Sequence, residues 1–170
     1  MYKLFLIVIL IILLNNDKNI IINSQFRTSK TDLKVNINNG LSEVLHSSMC
    51  NDRLDSLSII ISNIGLGGSS LRILINNQIN PKIVLWSDYE QYNNKHTVDI
   101  ELESYDLTLN KRKFNLGDTI MGYIKCESKP SNFVKNNASL QIEGDFFSIV
   151  GKSILMRKDG KKFILNTKDL

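Results

Sequence analysis

The chain has 170 residues, a net charge of +4 and 42% hydrophobic residues, which suits one ordinary domain with a buried core. An isoelectric point near 9.0 rests on only four surplus basic residues. They are spread thin apart from one cluster near the C-terminus and are not interleaved with aromatics, so no nucleic-acid partner is expected. The abundance of Ile, Asn and Lys fits AT-rich codon usage and carries little functional information.

Lys3 precedes an apolar run, Leu4 to Leu14, that ends at Asn15-Asn16-Asp17-Lys18. Spanning a bilayer takes about 20 apolar residues, so a run of this size behind a short basic start reads as a secretory signal peptide. Its boundary is expected at residues 1–24, with cleavage after Ser24. The alternative is an uncleaved membrane anchor in which Ile20 to Ile22 extend the stretch across a charged break. In both cases the body of the protein works outside the cytosol, in the periplasm, the envelope or the extracellular space. A membrane is a partner only if the segment is kept.

Residues 25–31 read as a flexible leader, and residues 32–170 as one domain. Leu33, Val35 and Ile37 alternate with polar neighbours and predict a strand over 32–38. Leu41, Val44, Leu45 and Ser48 stand at helical spacing and predict a short helix over 42–49. Leu57 to Ile61 is a β-branched run suited to a buried strand. A glycine-rich turn, Gly65 to Ser70, leads to a strand from Leu71 to Ile75, and Lys82 to Trp86 makes another. Thr97 to Cys126 reads as two strands joined through the basic turn Asn110 to Lys113. Val98, Ile100 and Leu102 set the phase, which slips by one at Ser104–Tyr105, where a bulge or bend is expected. A second slip falls at Phe146–Phe147. The chain closes on a hairpin in which Asp159-Gly160 predicts a two-residue turn, setting Met156 opposite Phe163, Arg157 opposite Lys162 and Lys158 opposite Lys161.

About eight short strands with regular turns predict an all-β fold: a single antiparallel β-sandwich, Ig-like or similar, with a small β-barrel as the alternative. The phrase from Phe114 to Ile124, with Leu116-Gly-Asp-Thr-Ile120 and Gly122-Tyr-Ile124, resembles a turn-and-strand phrase common to several β-sandwich families. Arrestin-like and macroglobulin-like modules are among them. The resemblance covers one strand and its turn, and it implies sandwich packing without singling out a family.

Chemistry is less legible. Gly65-x-Gly-Gly68 lacks the following helix that a phosphate loop needs, so a turn between strands is expected. His46, Cys50, His96 and Cys126 are the only residues of their types, and their spacing does not make a metal set. In an exported chain Cys50 and Cys126 form a candidate disulfide, against the alternative of two buried thiols. Asp99, Glu101 and Glu103 alternate along one strand and read as the solvated face of an outer sheet. Trp86, Tyr89 and Tyr92 are candidates for stacking on sugars, or else a core edge. Asn137-Ala-Ser139 is a glycosylation sequon. Arg157, Lys158, Lys161 and Lys162 cluster on the final hairpin. Edge protection by lysine is the favoured explanation there, and contact with an anionic partner is the other.

No elbow, triad or cofactor motif supports an enzyme, and no cofactor is expected. The sequence therefore points to an exported, non-enzymatic binding or structural module whose partner is an unidentified protein or a surface polyanion. The alternative is a hydrolase or metal-dependent enzyme using a histidine with carboxylate partners.

Overall fold

The structure, a computed structural model, describes residues 18–37, 40–53, 56–63, 66–156 and 161–167. The apolar run Leu4–Leu14 and the Asp159-Gly160 turn lie outside them. The strands are β1 (Lys18–Ile22), β2 (Asp32–Ile37), β3 (Gly40–Leu45), β4 (Ser47–Arg53), β5 (Ser56–Ser62), β6 (Gly67–Ile75) and β7 (Ile79–Ser87). They continue with β8 (Thr97–Ile100), β9 (Leu102–Leu109), β10 (Thr119–Ser128), β11 (Leu140–Ile149), β12 (Lys152–Met156) and β13 (Lys162–Asn166).

Two open sheets pack face to face. One runs β1-β9-β10-β11-β2-β3 and the other β13-β12-β4-β5-β6-β7-β8. Every pairing is antiparallel except β1 on β9. This is a sandwich and not a closed barrel, as the strand alternation predicts. Leu33, Val35, Leu107, Leu109, Ile124, Ile142 and Phe146 fill the core from the six-stranded sheet, and Ile59, Ile61, Leu71, Ile73 and Ile83 meet them from the other.

The chain changes sheet at three corners: at His46 between β3 and β4, at Glu101 between β8 and β9, and at Val150-Gly151 between β11 and β12. These corners correct several expectations. Residues 42–49 are the end of β3 and the start of β4, not a helix. The apolar positions that mimic helical spacing belong to two strands, with Leu45 buried from one sheet and Ser48 and Cys50 buried from the other. The stretch from Thr97 to Cys126 is three strands, and its phase shift falls at a bulge early in β9, just before the expected Ser104–Tyr105, where Leu102 faces Ser128 and Ser104 faces Glu127 with Glu103 as the extra residue. Asp99 and Glu103 lie on different sheets, although both are exposed. No slip occurs at Phe146–Phe147, since the β10–β11 register is unbroken from Thr119↔Ile149 to Glu127↔Gln141.

The final hairpin is also offset from its predicted register. Met156 opposes Lys162 and Leu155 opposes Phe163, so Met156 does not face Phe163 as expected. The three consecutive apolar residues Phe163-Ile164-Leu165 have no alternation, and β13 is exposed throughout. Neither face is buried, so the side-chain pattern does not set the register.

The basic turn before β10 is held by its own side chains. Asn110 donates through Nδ2 to the Thr119 carbonyl (3.1 Å) and accepts from the Met121 N–H (3.0 Å). Asp118 accepts from the Asn115 N–H and pairs with Lys111, both at 2.6 Å.

Candidate functional site: the apolar outer face and edge of the seven-stranded sheet

Along β5 the inward residues are Leu57, Ile59 and Ile61, and the outward ones are Ser56, Ser58, Ile60 and Ser62. Ile60 breaks an otherwise serine-lined outer row. Strand register places Met49 beside it on β4, and Ser153 on β12 and Leu165 on β13 continue the same row. In the adjoining row Phe163 stands opposite Leu155. Met49, Ile60, Leu155, Phe163 and Leu165 thus form an apolar band on the outside of four neighbouring strands, with small serines between them.

β13 ends this band and is also the sheet edge. Phe163 is 43% exposed, Ile164 56% and Leu165 39%. An exposed apolar edge presents unpaired backbone groups together with hydrophobic side chains, the combination that recruits another strand. The other edges differ. On β3 the Glu43 carboxylate accepts the Ser69 N–H of β6 (2.8 Å), tying the two sheets together. β8 is short, and its Asp99 pairs with Lys82 (2.9 Å). β1 also exposes three isoleucines, but it lies within the expected signal segment 1–24.

The basic cluster lies at this same hairpin. Lys162 is tied within the chain: its ammonium donates to the Ser29 carbonyl (2.9 Å) and stands 6.0 Å from the centre of the Phe147 ring. Lys161 directly precedes β13, and Arg157 and Lys158 lie outside the described residues. Lys152 on β12 donates to the Asn166 side chain.

The remaining candidates do not converge. Cys50 and Cys126 are free, buried thiols, which corrects the expected disulfide. Cys126 pairs with Ile142 near the start of β11, whereas the Cys50 carbonyl accepts from Gly151, just past the other end of that strand (2.9 Å). Seven residues of strand at ~3.3 Å each set the two apart by about 23 Å, where a disulfide needs Cα atoms within about 7 Å. Burial pushes both thiols up to about 12.

His96 sits 3.9 Å from Glu90 through Nε2 and 3.2 Å from the Ser87 carbonyl through Nδ1, while His46 occupies a corner. Among the described residues no three His, Cys, Asp or Glu side chains could share a metal ion. Glu101 is bonded to Lys129 (2.9 Å), which holds its carboxyl below the usual carboxylate range.

Gly67 and Gly68 open β6 instead of cradling a phosphate. A Cβ on Gly67 would stand 2.9 Å from the Trp86 carbonyl, and one on Gly68 3.0 Å from the Glu43 carboxylate. Gly65 lies outside the described residues. The aromatic trio is split: Tyr92 packs against the core and edge-on to Phe133 (5.9 Å), Trp86 is half-buried, and Tyr89 is exposed. Asn137 is exposed in a 3-10 turn, and the sequon hydroxyl of Ser139 donates to Glu127 (3.0 Å).

The fold and this surface define an open all-β sandwich with an apolar outer row running to the exposed edge strand β13. No family model, curated protein or solved structure matches the chain.

Proposed function

We propose that the protein is an exported, non-enzymatic interaction module of the envelope or extracellular space, and that its working surface is the band Met49, Ile60, Leu155, Phe163 and Leu165. The observation that carries this reading is the row of apolar side chains that is half-buried at Ile60, Met49 and Leu155 and becomes exposed at Phe163 and Leu165 on the edge strand β13. Large apolar patches on the surface of a stable fold mark places where another molecule packs. Export rests on the basic start and apolar run at the N-terminus, with processing after Ser24.

Fractionation of cells expressing the full chain tests the proposal. Wild-type protein is expected outside the cytosol in the particulate envelope or assembled fraction. Phe163→Lys at an exposed position, and Ile60→Lys at a half-buried one, should both retain a cooperative melting transition and release the protein into the soluble exported fraction. Retention of both variants, or wild-type protein confined to the cytosol, contradicts the reading.

A further inference from the structure

We infer that the edge of this surface, β13, takes a second copy of the same chain by antiparallel pairing of β13 with β13 about Ile164; this rests on the interaction-module reading above. β13 is bonded on one side to β12, and no strand among the described residues covers its other side. All five of its residues are exposed. Its one charged residue, Lys162, is already engaged by Ser29 and Phe147, so the edge carries no ammonium held out as a guard.

The strand Lys162-Phe-Ile-Leu-Asn166 is self-complementary in an antiparallel sense. With Ile164 on a two-fold axis, Ile164 faces Ile164, Phe163 faces Leu165 twice, and Lys162 faces Asn166. No like charges meet, and apolar residues meet apolar ones on both faces of the ladder, which is the favourable cross-strand case. Centring the pair on Phe163 instead would set Lys162 against Ile164 and Lys161 against Leu165. A two-fold contact of this kind is isologous and closes on itself, so it forms dimers and not fibres. It would join two seven-stranded sheets edge to edge. The outer bands of both copies would then meet at their Phe163 and Leu165 ends, extending the apolar face over both molecules.

Cysteine trapping in the full chain tests the register. Residues opposite each other on an antiparallel ladder have Cα atoms about 4.5–5.5 Å apart, within disulfide reach, and the two native thiols are buried. Ile164→Cys is expected to give a covalent dimer under mild oxidation. Phe163→Cys and Leu165→Cys should remain uncrosslinked alone and crosslink when mixed. No dimer from Ile164→Cys, or equal crosslinking by all three single variants, overturns the proposal.

Should a cysteine variant fail to fold, Ile164→Lys and Ile164→Glu give the same information. Each alone should be monomeric by sedimentation, and an equimolar mixture should form dimers; a mixture that stays monomeric overturns the proposal. If Ile164→Cys does not crosslink but Ile60→Lys still releases the protein from the envelope fraction, self-pairing is wrong and the module reading stands. If Ile164→Cys crosslinks and Ile60→Lys is retained, the dimer stands and the envelope reading falls.

Discussion

Gly122 on β10 stands directly opposite Phe146 on β11, and the Phe146 ring occupies the space where a Gly122 side chain would be. A Cβ built there would lie 2.3 Å from Phe146 Cζ and 2.7 Å from the Thr108 carbonyl oxygen. Phe146 is fully buried, so the glycine lets the largest core side chain lie flat across the neighbouring strand. This glycine is also part of the phrase running from Phe114 to Ile124.

Gly122→Ala should therefore destabilise the protein by about 1–3 kcal/mol through overpacking. Phe146→Leu should relieve part of that cost, so the double variant is less destabilised than the sum of its parts. Denaturant unfolding of the four proteins measures this. Additive losses would mean that the ring and the glycine are not coupled.

The thiols should respond to alkali through the unfolded state. Both are pushed up to about 12 by burial, whereas an unfolded thiol ionises near about 8.5. Between those values the unfolded chain holds fewer protons than the native one, so stability falls as pH rises from about 9 toward 12. Melting temperatures measured across that range should fall more steeply in wild-type protein than in Cys50→Ala/Cys126→Ala. Native protein should also leave both thiols unreactive toward a thiol reagent at pH 8, and unfolded protein should titrate two. Parallel pH profiles, or a fast-reacting native thiol, would contradict this.

β1 contributes no buried residue, although it pairs in parallel with Tyr105–Leu109 of β9. Cleavage after Ser24 would remove it and leave the core whole. A chain of residues 25–170 should unfold cooperatively, less stable than residues 18–170 by about 1–5 kcal/mol for five lost cross-strand pairs. Its amide exchange should be faster along Tyr105–Leu109. Loss of cooperative unfolding would show that β1 is integral to the domain.

Alternation within single strands was readable: Leu33-Val35, Leu57-Ile61 and Leu71-Ile75 each announce an inward face, and the sandwich follows from them. Passage between sheets was not readable. Periodicity records parity along one strand, so Leu45 and Ser48 imitate a helix while facing the core from opposite sheets. Val98, Ile100 and Leu102 likewise look like one strand while spanning the corner at Glu101. The apolar band is written across four strands that are distant in sequence, and only their register brings Met49, Ile60, Leu155, Phe163 and Leu165 together. Two local signals pointed toward it: Ile60 interrupting the outward serines of β5, and the unalternating Phe163-Ile164-Leu165. The disulfide failed because pairing two cysteines needs a distance, and counting residues supplies none.

The central claim, that the working surface is the outer face ending at β13, is tested most directly by hydrogen exchange on assembled and dispersed protein. Protection gained on assembly is predicted along Lys162–Asn166 and Lys152–Leu155, with little change on β2, β10 and β11. Protection gained instead across β2, β10 and β11, with β13 exchanging freely in both states, would place the interface on the other sheet and contradict the account.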